Sequence, residues 1–246
     1  MGMLARAADP TGKPARRSAD GAFRPRRYRV PVGERSVVRA IVRAFGFGCL
    51  MLGSGIAGYV AWLLWGTGLE TARAQERLRT EVSRLWDDPT PAPEREERYL
   101  PGEAYAAIVI PSIDVDFVVV EGPRAAPIRS PAWTVALKKG PTHYPDTADP
   151  WDGTGRVGIA GHRTTYLHPF LNLDRVRRGD RIELVTPHGT FLYEVDRTFA
   201  LPEAGSGVVL EQTVRPTLVL TTCHPKYSSR ERLIVTATQV AAPSTA

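Results

Sequence analysis

The stretch PTLVLTTCHPKYSSRERLIVTATQV, residues 216–240, decides the fold of the larger part of this chain. It holds two runs rich in Val, Leu, Ile and Thr, separated by a polar segment. Such runs are typical of β-strands. Cys223 ends the first run and Arg232 begins the second. The pattern therefore predicts two strands that place Cys223 and Arg232 at the same rim of a sheet.

Similar runs fill the chain from residue 104 onward and are separated by turn signals. About 140 residues with seven or eight strands and little helix predict one closed barrel or a sandwich. Gly189 in TPHGT predicts a hairpin turn. A loop or a single helical turn is expected over residues 166–180. The other strand runs are YAAIVIPSI, VDFVVVEG, GRVGIAGH, DRIELVTP and GTFLYEVDRTFAL.

Positive charge is concentrated at the N-terminus. Residues 1–43 carry eleven Lys and Arg against three acidic residues, a net charge of +8, while the whole chain is +6. The remainder is therefore slightly acidic. The composition predicts a disordered basic arm over residues 1–43 rather than a basic domain face, so no nucleic-acid partner is expected.

Residues 44–69 form an uncharged apolar stretch, AFGFGCLMLGSGIAGYVAWLLWGTGL. About 20 apolar residues suffice to cross a bilayer, so this stretch predicts a transmembrane helix. The ARA sequence at residues 72–74 resembles a signal-peptide cleavage site, but a signal h-region is only about 7–15 residues long. We expect an uncleaved anchor in the cell membrane. The cationic arm places the N-terminus in the cytoplasm and the rest of the chain outside.

Residues 70–98 predict a juxtamembrane helix and then a proline-rich linker. Leu78, Val82 and Leu85 have helical spacing, which suits either a short coiled stalk or a helix that frays beyond the bilayer. Three prolines in DDPTPAPEREER then break the pattern. Residues 99–246 remain as an extracytoplasmic domain.

Cys223 is the only cysteine of that domain, because Cys49 lies in the apolar stretch. An internal disulfide is therefore excluded, and a lone exported thiol is either reactive or accidental. A reactive thiol needs a nearby base or cation. His224 is adjacent in sequence, but successive strand side chains point to opposite faces. His162, at the end of another predicted strand, is the better partner. Arg232 is a candidate oxyanion donor, and Arg230 is expected to be a solvated loop cation.

The segments GIAGHRTTY and LVLTTC, followed by CHPKYS and by Arg232 before the last strand, resemble the sortase family, and within it the class E sortases of actinobacteria. The resemblance covers roughly residues 101–240. It implies an all-β domain, a closed eight-stranded barrel. It also implies Cys223, His162 and Arg232 as catalytic residues, and Ala160, Leu220 and Thr222 as substrate-binding positions.

The implied reaction is cleavage of a C-terminal sorting signal, LAxTG or LPxTG, between Thr and Gly. The acyl group then passes to an amine of the peptidoglycan precursor lipid II. The implied partners are secreted proteins bearing that signal, lipid II and the bilayer. We expect no cofactor and no required metal, because clustered carboxylates with calcium-loop spacing are missing from the sequence. The tripeptide DPW at residues 149–151 is similar to the lid motif of pilus-building sortases, but we interpret it as a loop feature.

Other functions remain open at this point. An L,D-transpeptidase also uses His and Cys on a β-rich fold, although its Ser-His-Gly-Cys signature is missing here. Papain-like cell-wall peptidases place Cys before His, the reverse of the order in this chain. A non-catalytic, membrane-tethered binding module would leave Cys223 inert.

Overall fold

The computed structural model describes residues 32–86 and 99–240. Helix α1 (Val32–Ala61) leads through a π-helical turn (Trp62–Gly66) into helix α2 (Thr67–Trp86). The part of α1 from Ser36 to Ala61 is long and apolar enough to cross a membrane, by length and composition. The chain divides into two compact units, with the boundary in sequence between Leu52 and Gly53. The helix begins well before residue 44, so it includes part of the predicted arm.

Eight strands in the second unit close into a barrel, as the resemblance implies, and not into a sandwich. The order around the barrel is β1-β2-β3-β4-β7-β8-β6-β5, and β5 pairs with β1. Two neighbouring pairs are parallel, β2 with β3 and β4 with β7, and the others are antiparallel. The strands are β1 (Ala104–Ile110), β2 (Val115–Glu121), β3 (Thr142–His143), β4 (Arg156–Ala160), β5 (Arg181–Thr186), β6 (Gly189–Pro202), β7 (Thr217–His224) and β8 (Glu231–Gln239).

Side chains alternate between the two faces of each strand, and those that point inward fill the barrel. The interior holds a continuous apolar core that includes Ile108, Leu218 and Leu220, each fully buried. The opposite face of the same strands packs a second cluster, in which Val219 of β7 meets Ile234 of β8 and Val209. A 3-10 helix, Ser206–Leu210, carries Val209 onto that outer face. Burial on both faces explains why β7 is almost uninterruptedly apolar.

Two elements were not predicted from the sequence. Strand β3 has two residues, too few to show any periodicity. Helix α3 (Pro131–Lys139) begins where the Ser130 hydroxyl accepts a hydrogen bond from the Trp133 amide. Ser followed by Pro is a helix-start signal, so the sequence does contain the information. The predicted hairpin at Gly189 is present, with φ of +124° at that glycine.

Helix α2 is neither a stalk nor a frayed end, since one of its faces packs on the barrel. Leu78 and Val82 are buried against Val118 and Val120 of β2. Between them and the start of the helix, the Gln75 amide donates to the Val118 carbonyl at 2.9 Å and accepts from the Val118 amide at 2.7 Å. The apolar stripe therefore has its partner within the same unit. The predicted linker, residues 87–98, lies outside the described residues.

A buried polar cluster joins β2, β3 and the loop that precedes β4. His143 Nδ1 lies 3.0 Å from the Glu121 carboxylate, and both side chains are almost fully buried. The ring of His143 stacks on Tyr105 at 4.1 Å, and the Tyr105 hydroxyl donates to Asp149 Oδ1 at 2.9 Å. His143 Nε2 lies 3.3 Å from the Ala148 carbonyl. Both ring nitrogens of His143 thus have hydrogen-bond partners.

Candidate active site

The parallel pair β4 and β7 brings the residues just before His162 alongside the end of β7, which carries Cys223. Ala160, the last residue of β4, is paired with Thr221. Just beyond it, the Gly161 amide donates to the Thr221 carbonyl at 3.0 Å, and the Thr222 hydroxyl donates to the Gly161 carbonyl at 2.7 Å. His162 follows Gly161 directly and Cys223 follows Thr222, so both residues lie at this edge of the barrel.

The antiparallel pair β7 and β8 places Arg232 directly opposite Cys223. Arg232 Nη1 lies 3.8 Å from the Cys223 Sγ. The thiol is free and half-buried. Arg232 Nη2 also bonds Glu203 Oε1 at 3.3 Å, and the same oxygen accepts from Arg129 Nη2 at 2.6 Å. The thiol therefore lies beside a cation that a carboxylate holds in place.

A hydrogen bond fixes the backbone of His162, whereas one nitrogen of its ring has no partner among the described residues. The Phe170 amide donates to the His162 carbonyl at 3.1 Å. Gly161 next to it has no Cβ, and the Phe170 ring occupies the space that one would need. Within the described residues, the buried Nε2 atom of His162 makes no hydrogen bond. Burial lowers the pKa of His162 from 6.5 to about 4, so the imidazole is neutral at pH 7.

A cavity of about 380 Å³, here called the rim cavity, opens beside Arg232. Thr221 and Tyr144 line it, and their hydroxyl groups lie 3.0 Å apart. Trp133 of α3 contributes an aromatic wall and packs against Tyr144 at 5.1 Å. Burial raises the pKa of Tyr144, so the phenol is protonated and available as a hydrogen-bond donor. The cavity combines aromatic walls with polar groups next to the thiol, as ligand sites commonly do.

The three expected substrate-binding positions lie behind this cavity rather than along it. Leu220 is fully buried in the interior core, and Ala160 is buried. Thr222 is buried, and its hydroxyl bonds the Gly161 carbonyl. Thr221, between Leu220 and Thr222, has the opposite orientation and lines the rim cavity. Arg230 is exposed, and its carbonyl accepts from the Glu203 amide.

Comparison with known proteins fits this arrangement. A family model described as "Sortase domain" matches residues 108–240, more than half of the chain. The chain belongs to the sortase family. Sortases are cysteine transpeptidases, and a solved structure titled as a Clostridium perfringens Sortase D5 transpeptidase superposes on it. That superposition has a TM-score of 0.57 at 25% identity and covers 69% of this chain and 99% of the other.

Two curated sortases show how the chain relates to the classes. Sortase SrtE1 of Streptomyces coelicolor is 26% identical over 80% of this chain, which spans 57% of the length of that relative. Sortase D of Bacillus subtilis is 27% identical over 69% of this chain and 83% of its own length. The crystal structure of the Streptomyces coelicolor Sortase E1 with a tripeptide in the active site has a TM-score of 0.50 at 28% identity, covering 59% and 93% of the two chains. The family is therefore established, and similarity extends to both classes.

Three residues near the candidate site were not identified from the sequence. Glu203 binds Arg232, and Tyr144 lines the rim cavity. Arg163, almost fully buried, donates to the Cys223 carbonyl at 3.1 Å and to His224 Nδ1 at 2.9 Å, and pairs with Asp174. A guanidinium only donates, so His224 must accept at Nδ1 and is directed to Arg163. The position of Arg163 directly after His162 was the one available signal.

Proposed function

We propose that this sortase uses Cys223 as nucleophile, His162 as general acid and base, and Arg232 as oxyanion or substrate-backbone donor. The observation that supports these roles is the strand register, which pairs Cys223 with Arg232 and ends β4 two residues before His162 at the same edge of the barrel. The Arg232 guanidinium lies 3.8 Å from the thiol, where it can stabilise negative charge on sulfur or on a nearby carbonyl oxygen.

The lowered pKa of His162 supports the Cys223 thiol as the source of its proton. The imidazole is neutral before substrate binds, so it takes the proton of the Cys223 thiol as sulfur attacks the Thr carbonyl of the signal. The new C–S bond gives a tetrahedral oxyanion next to Arg232. When the Thr–Gly bond breaks, the imidazolium gives this proton to the departing Gly amine.

The second half of the reaction reverses these roles. An acceptor amine attacks the thioester carbonyl, and neutral His162 takes a proton from that amine. The C–S bond then breaks, and the proton returns to the Cys223 sulfur. The enzyme is regenerated with a new amide bond in the product. No water is consumed, and the energy of the cleaved peptide bond is retained through the thioester.

The substrate class that we propose is a C-terminal LAxTG or LPxTG sorting signal. We infer that the signal enters the rim cavity, where Tyr144 and Thr221 supply polar groups and Trp133 an apolar wall. The cavity is supported from the inner side of the barrel by Leu220, Thr222 and Ala160. These residues hold Thr221 and the loop at Gly161 in position. The similarity to a class E sortase supports Ala rather than Pro at the second position of the signal.

We further propose a class E housekeeping role, in which α1 anchors the enzyme in the cell membrane with the barrel outside. The sequence similarity to Sortase SrtE1 and the apolar helix Ser36–Ala61 support this assignment. The partners are secreted proteins that carry the signal, and the acceptor is the amine of lipid II. Membrane tethering keeps the enzyme at the surface where both of these substrates appear.

The test is mass spectrometry of the full-length protein in detergent with an LAxTG peptide, an LPxTG peptide and a short amine. We expect Thr–Gly cleavage, a thioester adduct on Cys223 and transfer to the amine, with the LAxTG peptide preferred. Cys223→Ala removes all three products, whereas the matched variant Cys49→Ala keeps them. A folded protein that gives neither adduct nor cleavage with both peptides would contradict the proposed substrate class.

A further inference from the structure

A second cavity, of about 640 Å³, lies between α2 and α3, away from the proposed catalytic residues. Arg73 and Arg77, one turn apart on α2, line it from one side. Lys138 and Lys139 line it from α3, and Glu70 is the one acidic residue among those that line it. This cavity, here called the α2–α3 groove, therefore carries an excess of three positive charges.

The cations of the groove are largely free of carboxylate partners. Within residues 32–86 and 99–240, Arg73, Arg77 and Lys138 make no salt bridge, while Lys139 donates to the Gly102 carbonyl at 2.9 Å. Like charges that face one cavity repel each other, and this repulsion is relieved when an anion binds between them. The charge balance thus favours an anionic ligand.

The same groove has an apolar part near the membrane helix. Trp62, Leu69 and Val135 line it, and each of these side chains is about 60% exposed. Trp62 directly follows Ala61, where the membrane-span candidate ends, and its ring lies over Gly66. Tryptophan is enriched where a helix leaves the hydrocarbon region. Along the chain from the end of the membrane-span candidate, Trp62 and Leu69 come first and the two arginines follow, which matches the order of acyl chain and headgroup in a lipid.

We propose that the α2–α3 groove binds an anionic membrane lipid, with its phosphate between the cations and its acyl chains beside Trp62 and Leu69. The proposal rests on the proposed membrane anchoring. An inorganic phosphate ion would use only the cations, and a zwitterionic lipid would offset the attraction with its own ammonium group. A phosphodiester headgroup with net negative charge uses both parts of the groove.

The groove is also connected to the proposed catalytic centre. Lys138 Nζ lies 5.6 Å from the centre of the Tyr166 ring, and that ring lies 4.8 Å from the ring of His162. The Tyr166 amide donates to the Thr67 hydroxyl in the first turn of α2 at 3.4 Å. A lipid that holds Lys138 and α2 would therefore steady the loop beside His162.

The experiment is native mass spectrometry of the full-length protein in neutral detergent with added phosphatidylglycerol or phosphatidylcholine. We expect phosphatidylglycerol adducts on the wild type, and about tenfold fewer on the double variant Arg73→Gln, Arg77→Gln, as basic residues near a headgroup each strengthen binding severalfold. The double variant Arg73→Lys, Arg77→Lys keeps the charge and keeps the adducts. The matched control is Arg177→Gln, Arg178→Gln, which removes two exposed arginines elsewhere and keeps them too.

Equal adducts on the wild type and the Arg73→Gln, Arg77→Gln variant would overturn the proposal, as would equal binding of both lipids. Displacement of the lipid by millimolar inorganic phosphate would show that the groove binds only a phosphate ion, and this result would also overturn the lipid proposal. Peptide cleavage in lipid-free detergent and thermal unfolding are measured on each variant. Loss of cleavage by the wild type would count against the proposed function, while the adduct ratio still decides the lipid site.

Discussion

Two histidines lie nineteen positions apart in this barrel, one buried and one half-buried, and they differ in what surrounds them. His143 in β3 has partners for both ring nitrogens and stacks on Tyr105. His162, just past β4, has a buried Nε2 with no hydrogen bond among the described residues, and burial lowers its pKa to about 4. Their strands are neighbours, since His143 pairs with Ile159. The hydrogen bonds of the ring nitrogens therefore separate the structural histidine from the catalytic candidate.

The difference lies in which interactions are left unmade. An unpaired polar atom in a buried position lowers stability, so it persists where a substrate or a reacting group completes it. His143 is complete without a ligand, and His162 is not. The two histidines should therefore respond oppositely to the same substitution, one through stability and the other through turnover.

The largest expected effect is the loss of catalysis in His162→Gln. Removal of a general acid and base lowers kcat by about 10³-fold, since such groups contribute on the order of 10²–10⁴. The measurement is the rate of amine transfer with the LAxTG peptide. His143→Gln is the matched control, and its rate per folded molecule stays within about twofold of the wild type, as expected for a residue without a chemical role. If both variants lose turnover equally while folded, the distinction between the two histidines is wrong.

Next in size is the loss of stability in Glu121→Ala. The substitution removes the hydrogen-bond partner of the buried His143 Nδ1, and leaving a buried polar group unsatisfied costs about 1–3 kcal/mol. Urea unfolding measures the change in free energy. Glu194→Ala removes an exposed carboxylate from β6 and serves as control, with an expected change below about 0.5 kcal/mol. Similar values for both variants would show that the buried cluster does not stabilise the fold.

A smaller effect concerns pH. The pKa of His162 is lower in the folded protein, about 4, than the ordinary value of 6.5, so protonation favours the unfolded chain. Its contribution to stability is complete above pH 6.5 and falls as the pH decreases from 6.5 towards 4. We expect the wild type to lose about 2 kcal/mol relative to His162→Gln between pH 7 and pH 5. An unchanged difference, or an NMR titration of His162 with a midpoint near 6.5, would contradict a neutral, desolvated imidazole.

The smallest effect is expected for Glu203→Gln. Glu203 orients Arg232 through a partly exposed salt bridge, and such pairs contribute up to about 1 kcal/mol. We therefore predict a twofold to fivefold decrease in kcat/KM, roughly the rate equivalent of that energy. Glu211→Gln removes an exposed carboxylate from a loop and leaves kcat/KM unchanged. A decrease of similar size in both variants would point to overall charge rather than to the contact with Arg232.

Much of the fold was predictable because long strands carry a visible pattern. Each of the seven runs of β-branched and apolar residues coincides with a strand. The closure into a barrel followed from the resemblance, because composition alone left barrel and sandwich open. The apolar spacing in α2 predicted a helix but not its partner on β2, since a helical stripe indicates only that one face is to be buried.

The site was predictable in part, for a related reason. Cys223 and Arg232 flank one turn and His162 follows a recognisable strand, so local sequence indicates their common edge. Glu203 and Tyr144 reach the same edge from distant segments, and only tertiary packing brings them there. Leu220 and Thr222 flank Thr221, which lines the rim cavity, but have their own side chains on the inner face, because a strand reverses orientation at every residue.

Closure of the barrel also limits how a peptide can be recognised. Each of the eight strands has a neighbour on both sides, which leaves few strand edges free to pair with a substrate backbone. We therefore expect recognition to depend mainly on side chains and connecting segments above the rim, such as Tyr144 and the 3-10 helix Ser206–Leu210. Those segments can change in evolution while the strands that hold Cys223 and Arg232 keep their register. The architecture thus allows new peptide preferences to arise without disturbance of the reacting groups.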